Sequence, residues 1–233
     1  LIQVVEDFAK DTRREFQLAP VVTAPCAGHV HAASTFLGLD ASAIEACVVT
    51  PARKLHSLSV QDVELPKGSF SPQTPLVLSH FGIWSPLKGT DLLLEAIALT
   101  RDPKRFRLEL AGGPSKPEFE TTLRDIVRAK LPKGAVTFHG RYEAERLAGH
   151  SVAGAHLFVT ATRAHESFGL VLDEAIELGL GCLVPDHGAC GERAGQVDWA
   201  TTFATGDASS LATLLDQVAD NPLQVADLRA AAA

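Results

Sequence analysis

From residue 74 onward, short apolar runs alternate with amphipathic stretches, and no other feature limits the fold as much. TPLVLSHF (74–81) is an apolar, β-branched run that Gly82 is expected to end, and the segment 89–100 follows with Leu92, Leu93, Ile97 and Leu99 at helical spacing. Thr90 or Asp91 is the expected N-cap of that helix. RFRLELAGG (105–113) reads as a second strand, 117–130 as a charged amphipathic helix and AVTFHG (135–140) as a third strand. A helix is expected over 142–150, strands at AHLFVTA (155–161) and CLVPD (182–186), and a helix at SFGLVLDEAIELGL (167–180) between them. ATTFATGD (200–207) holds a short sixth strand, and helices at 208–219 and 222–231 close the chain, the second opened by Asn221-Pro222.

Strands this apolar, separated by helices, require a parallel sheet covered on both faces. The expected fold is thus α/β, a Rossmann-like doubly wound domain. Such a domain binds ligands at the carboxyl ends of its strands, which singles out the loops 82–89, 112–116, 162–169 and 186–192.

Residues 1–60 differ. A helix (1–17), a strand (21–24), a helix (27–38) and ACVVTP (46–51) form one βαβ-like unit, too small to close its own core. Two prolines and mixed polarity mark the stretch after it as a linker. The expected division is 1–60, the tail of a second, partial α/β domain; 61–73, a linker; and 74–233, the main domain. The alternative is one extended domain. The absence of methionine and the final run of alanines suggest a piece of a longer protein.

Composition removes several classes of function. With 46% hydrophobic and 21% charged residues the chain is globular, and a net charge of −7 without a basic block argues against nucleic-acid binding. No apolar run reaches the roughly 20 residues needed to span a bilayer. Cys26, Cys47, Cys182 and Cys190 form no C-x-x-C pair and read as reduced thiols of a cytosolic protein. His29 and His31 lack a third ligand nearby, so no metal is expected.

Chemistry concentrates at a few places. Lys88 stands one residue before a helix, where its ammonium adds to the positive end of the dipole and could meet a diphosphate. The alternative is a solvated loop lysine. Gly112-Gly113 would turn the chain at a strand end, while Asp186, Gly188, Gly191 and Glu192 could form a ligand-facing nest.

The run HESFGLVLDEAIELG (165–179) places Glu166 and Glu174 eight residues apart. On a helix that spacing is about 12 Å and about 80° beyond two turns, so the two carboxylates cannot share a proton or a metal. Acting together, they would hold the two ends of an elongated ligand. Phe168, Gly169 and Leu170 between them would open a helix with free N–H groups, and Gly169 would admit a close anion. Otherwise Glu166 is a helix-start acid and Glu174 lies on a polar face.

Glu166-x(7)-Glu174 with FGL inside, followed by Ala175 and Gly179, resembles the signature of the family-four retaining glycosyltransferases of GT-B fold. GIWSPLKGTDLLLEA (82–96), LELAGGP (108–114), VTFHG (136–140), Asp186-x-Gly188-x-x-x-Glu192 and Gly206-Asp207-x-x-x-Leu211-Ala212 are similar to further family segments, in order. VVTAPCAGHVHAASTFLGLDASAI looks like the end of the family's N-terminal domain, so the resemblance covers about residues 20–225.

The resemblance implies a nucleotide-diphosphate sugar as donor, an acceptor not identified by the sequence, retention of anomeric configuration and no metal or other cofactor. Glu166 would meet the donor sugar, Glu174 the ribose, the amides of Phe168, Gly169 and Leu170 the diphosphate or sugar, and Lys88 the leaving phosphate. The loops carrying Gly82, Gly112, Gly113, Gly188 and Glu192 would line the rest of the donor. The family usually has arginine directly after the glycine matched by Gly82, and here Ile83 stands there. Arg163 or Arg141 would then supply the second cation. The acceptor side belongs to the family's N-terminal domain, so this chain alone is expected to be inactive, and cytoplasmic or peripheral at a membrane. A catalytically silent nucleotide-sugar-binding module is the alternative. A GT-B epimerase would not explain the spacing of the two glutamates.

Overall fold

The computed structural model describes residues 2–18, 21–24, 26–40, 46–48 and 61–233. In chain order the elements are α1 (Ile2–Leu18), β1 (Val22–Ala24), α2 (Ala27–Leu37), β2 (Ala46–Val48), β3 (Leu76–Trp84), α3 (Thr90–Leu99), β4 (Phe106–Pro114), α4 (Pro117–Lys130), β5 (Val136–Gly140), β6 (Leu157–Val159), α5 (Leu170–Glu177), β7 (Gly181–Pro185), α6 (Gly188–Ala194), β8 (Ala200–Phe203), α7 (Ala208–Asp220) and α8 (Pro222–Ala232). β1 and β2 form a parallel pair, and the other six strands a parallel sheet in the order β5-β4-β3-β6-β7-β8. The chain thus winds outward from β3 in one direction, then returns to β6 and winds in the other. That reversal creates a crevice between the carboxyl ends of β3 and β6.

Alternation along each strand feeds two cores. Leu76, Leu78, Leu108, Leu110, Leu157, Val159 and Leu183 face a cluster completed by α3 and α7, through residues such as Leu93, Ile97, Leu211 and Leu215. Phe81, Ala111, Phe158, Cys182 and Val184 face the opposite cluster, with Leu172 and Ala175 of α5 and Cys190 and Ala194 of α6. Neighbouring positions of one strand go to opposite faces, as the period of 2 requires, so both faces are apolar and must be covered.

Several expectations need correction. β3 does not stop at Gly82 but continues to Trp84, with Gly82 opposite Gly112 of β4. A Cβ on Gly112 would lie 1.8 Å from the Gly82 carbonyl oxygen, so Gly112 lets the two strands close on each other rather than turn the chain. The N-cap of α3 is Gly89, at φ 70, because Thr90 is buried and Asp91 receives Arg163. The helix expected over 142–150 is a pair of 3-10 turns, Ala144–Gly149 and Ser151–Gly154. α5 is shorter than expected at both ends, and the loop read over 186–192 contains α6.

Residues 61–73 have no regular secondary structure, yet Phe70 is buried in the first core and its N–H donates to Ala219 O at 2.8 Å. The Arg105 guanidinium donates to Phe70 O (2.8 Å) and Arg229 to Gln61 O (2.8 Å), so this stretch is pinned to the sheet domain. Residues 49–60, including the end of the expected strand at 46–51, lie outside the described residues. Cys26, Cys182 and Cys190 are free and buried. No described helix is long and apolar enough to cross a membrane.

Two buried histidines sit in the sheet. The Val77 N–H donates to His156 Nδ1 (2.8 Å), and His156 Nε2 donates to Glu64 O (3.2 Å), so a second ring proton would point at another N–H. Burial, offset in part by hydrogen bonds, holds His156 and His80 below their ordinary value of 6.5. The unfolded chain therefore takes up protons first as the pH falls. Stability is expected to hold above a pH of about 6.5 and to decline as the pH falls below it, until the lowered folded-state values are passed. Urea midpoints measured at pH about 7.5 and about 5.5 check this, and equal midpoints would contradict it.

Candidate functional site

A crevice of about 330 Å³ opens at the switch point between β3 and β6. Its lining includes His80, Gly82, Ile83, Lys88, Thr160, Glu166, the run Ser167–Val171 and Cys190. Lys88 reaches it because the loop after β3 is held tightly against the end of β6. A Cβ on Gly89 would lie 1.7 Å from the Ala161 carbonyl oxygen, and Arg163 N donates to Leu87 O at 2.8 Å.

Lys88 Nζ donates to Glu166 Oε1 at 2.6 Å, and Thr162 Oγ1 donates to the same oxygen at 3.0 Å. The lysine side chain is 39% exposed and the glutamate 18%, so the cation faces the opening and the anion its floor. Behind them His80 Nδ1–H donates to Val159 O (2.8 Å), which leaves Nε2 to accept from Thr90 Oγ1 (3.4 Å). Burial first, and the Lys88 charge in addition, keep that imidazole neutral.

Gly169, at φ 78, is the N-cap of α5 and contributes no side-chain cap. The Leu172 N–H donates back to Gly169 O at 2.9 Å, the N–H groups of Leu170 and Val171 have no acceptor within the helix, and Phe168, Gly169 and Leu170 line the crevice. Arg193 fixes this turn from behind. It donates to Phe168 O (3.3 Å) and Gly169 O (3.4 Å), pairs with Asp173 and lies 4.8 Å from the Phe168 ring centroid.

Because α5 begins only at Leu170, Glu166 lies before it and the helical separation computed from sequence spacing does not apply. The two carboxylates are kept apart differently. Glu174 accepts from the Tyr142 hydroxyl at 3.3 Å, and Tyr142 lines a second cavity of about 550 Å³. Burial, then the Glu174 charge, push the phenol above its ordinary range, so it stays a donor. Gly82, Ile83, Gly112, Gly113 and Arg141 also line this second cavity, which shares Gly82 and Ile83 with the first. Glu166 therefore lines the first cavity, whereas Glu174 lines neither and is linked to the second only through Tyr142.

Three more expected site residues, Arg163, Glu192 and Gly188, line neither cavity. Arg163 is held by both Asp91 oxygens (2.9 and 3.2 Å) and lines neither cavity, whereas Arg141 lines the second and its stem lies beside Gly113. Glu192 lines neither cavity either, since its carboxylate accepts from the N–H groups of Ala27 (3.2 Å) and Gly28 (2.5 Å). Gly188, at φ 58, supports the site from outside the cavities: a Cβ there would stand 3.1 Å from Glu166 N. Ile83 is 62% exposed on the rim, and no cation replaces it at that position. His80, Thr160, Cys190 and Tyr142 were not anticipated, because a lone His or Thr in a strand reads as core. Among the described residues no three His, Cys, Asp or Glu are grouped to hold a metal.

A parallel sheet of this order, with a crevice at its switch point backed by a helix N-terminus, defines a doubly wound α/β domain with its candidate ligand site at the strand carboxyl ends. Residues 75–221, more than half of the chain, match the sequence profile described as glycosyl transferases group 1, and the chain belongs to that family. Solved structures agree in fold. HepE from Anabaena, in complex with UDP and glucose, is 18% identical and superposes with a TM-score of 0.72 over 98% of this chain and 60% of its own. Sucrose-phosphate synthase from Thermosynechococcus elongatus is 18% identical, with a TM-score of 0.74 over 97% of this chain and 56% of its own. A glycosyltransferase from Rickettsia africae gives 13% identity and 0.71 over 95% and 60%. These likenesses show the GT-B fold, and the chain spans less than two thirds of each of those proteins. No curated protein matches the sequence.

Proposed function

We propose that the crevice is the donor site of a retaining glycosyltransferase that uses a nucleotide-diphosphate sugar. Residues 74–233 form the donor domain, 61–73 the linker and 1–60 the tail of the acceptor-side domain. The observation that carries this reading is the Lys88–Glu166 pair at the switch point, in one crevice with the residues that open α5. A diphosphate across Lys88 and the amides of Phe168, Gly169 and Leu170 would have its charge met without a metal. Lys88 would stabilise the departing phosphate, and Glu166 would accept from hydroxyls of the sugar.

From there the nucleoside would extend past Gly82 into the second cavity, which Gly112 and Gly113 line, and Glu174 would accept from the ribose in place of Tyr142. Arg141 is better placed than Arg163 to supply the second cation. The complex of the similar HepE with UDP-glucose makes UDP the first nucleotide to try. A second reading, a silent binding module, rests on Ile83, whose exposed apolar side chain offers the diphosphate nothing.

Calorimetry with UDP, GDP, ADP and TDP is expected to show one nucleotide binding below about 1 mM. Glu174→Ala is expected to weaken it about tenfold through the lost charged hydrogen bonds. Should none bind at that concentration, the donor reading fails. Transfer by the full-length protein separates the enzyme from the silent module.

A further inference from the structure

α2 begins without a local cap: Cys26 is its N-cap residue and makes no side-chain hydrogen bond to it. Its first amides are instead satisfied from far along the chain, by the two oxygens of Glu192 at 3.2 Å (Ala27 N) and 2.5 Å (Gly28 N). Glu192 lies on α6, and the other end of that short helix rests on the peptide of Glu166. Ala189 N donates to Glu166 O at 3.0 Å, and Gly188 has no Cβ because one would stand 3.1 Å from Glu166 N. Gly28 also abuts His165, the neighbour of Glu166: a Cβ there would be 3.2 Å from His165 Cε1. Between the start of α2 and Glu166 there is thus a continuous set of contacts through α6, beside a direct one in which the Cys26 thiol meets Glu166 O at 4.0 Å.

We infer that Glu192 is a positioning residue, a latch that registers the N-terminal unit on α6 and thereby orients the Glu166 peptide at the rim of the crevice. An ionised carboxylate bridging two helix-start N–H groups is a strong, directional contact. Gly28 is the matching half of the latch, because any side chain there would expel the carboxylate, its Cβ falling 2.2 Å from Glu192 Oε1. That oxygen is the end of a flexible side chain, so Gly28→Ala breaks the contact without unfolding the domain. The consequence for transfer rests on the proposed donor site, while the latch itself does not.

The test uses the full-length protein, with amide hydrogen exchange over 26–31 and 163–170, UDP calorimetry and transfer kinetics. Glu192→Ala and Gly28→Ala are both expected to speed exchange in both segments about tenfold. They are expected to lower kcat about tenfold and to leave the UDP Kd within about twofold. Glu192→Gln, which keeps an acceptor oxygen, is expected to fall between. A weaker UDP affinity with unchanged exchange would make Glu192 a donor ligand and overturn the latch. Faster exchange over 26–31 alone, or with kcat intact, overturns the positioning role. If the wild type neither binds UDP nor transfers sugar, the donor reading fails, and the exchange over 163–170 still decides the latch.

Discussion

Glu166→Ala is expected to abolish sugar transfer by the full-length protein while leaving it folded, and Lys88→Ala to slow it by about 10²- to 10³-fold. The two side chains hold one another at 2.6 Å, with Thr162 as a further donor to the glutamate. Each is thus pre-oriented before a donor arrives, and each variant leaves a charge without its partner. The double variant is accordingly expected to cost less than the product of the single effects, as in other groups that act as a unit. Initial rates with the nucleotide sugar selected by calorimetry, and circular dichroism to verify folding, are the measurements. Transfer by Glu166→Ala at more than a tenth of the wild-type rate would remove Glu166 from the reaction.

The second large effect concerns stability. Gly89→Ala is expected to cost about 3 kcal/mol or more, since it adds left-handed backbone strain to an overlap that the strand end cannot relieve. Gly89 stands at φ 70 with the Ala161 carbonyl oxygen 1.7 Å from where a Cβ would sit, and that carbonyl belongs to the main chain leading into the Glu166 loop. Gly206 is the control. It has a similar φ of 74 but nothing within 4 Å, so Gly206→Ala is expected to lose only about 1 kcal/mol. Urea unfolding of both variants separates strain from overlap, and equal losses would show that the contact with Ala161 contributes nothing. Because the same contact brings Lys88 to Glu166, Gly89→Ala that still folds is expected to lose transfer as well.

Much of the architecture of the six-stranded sheet domain was legible as pattern. Apolar runs of strand length between amphipathic runs of helix length admit few arrangements other than a covered parallel sheet, and the observed strands and helices follow them closely. The candidate site was legible where local chemistry is distinctive, at Lys88 before a helix and at the FGL turn. It was not legible where a residue's partner is remote. Arg163 and Arg141 look alike as loop cations, and only the fold gives the first to Asp91 and the second to the cavity. Glu192 looked like a ligand-facing acid, yet its partners lie 164 and 165 positions away.

The glycines show the same division. A glycine at a strand end suggests a turn, which is a local inference. Gly82 and Gly112 instead remain in the sheet, Gly112 because the Gly82 carbonyl of the next strand takes its side-chain space and Gly82 because its φ is 126. The sequence by itself determined the period and order of the elements, since these follow from which residues must leave water. Only the tertiary structure decided which charges meet, which helix receives which carboxylate and where the crevice opens. Those depend on distances between segments far apart in the chain, and sequence spacing carries no such distances.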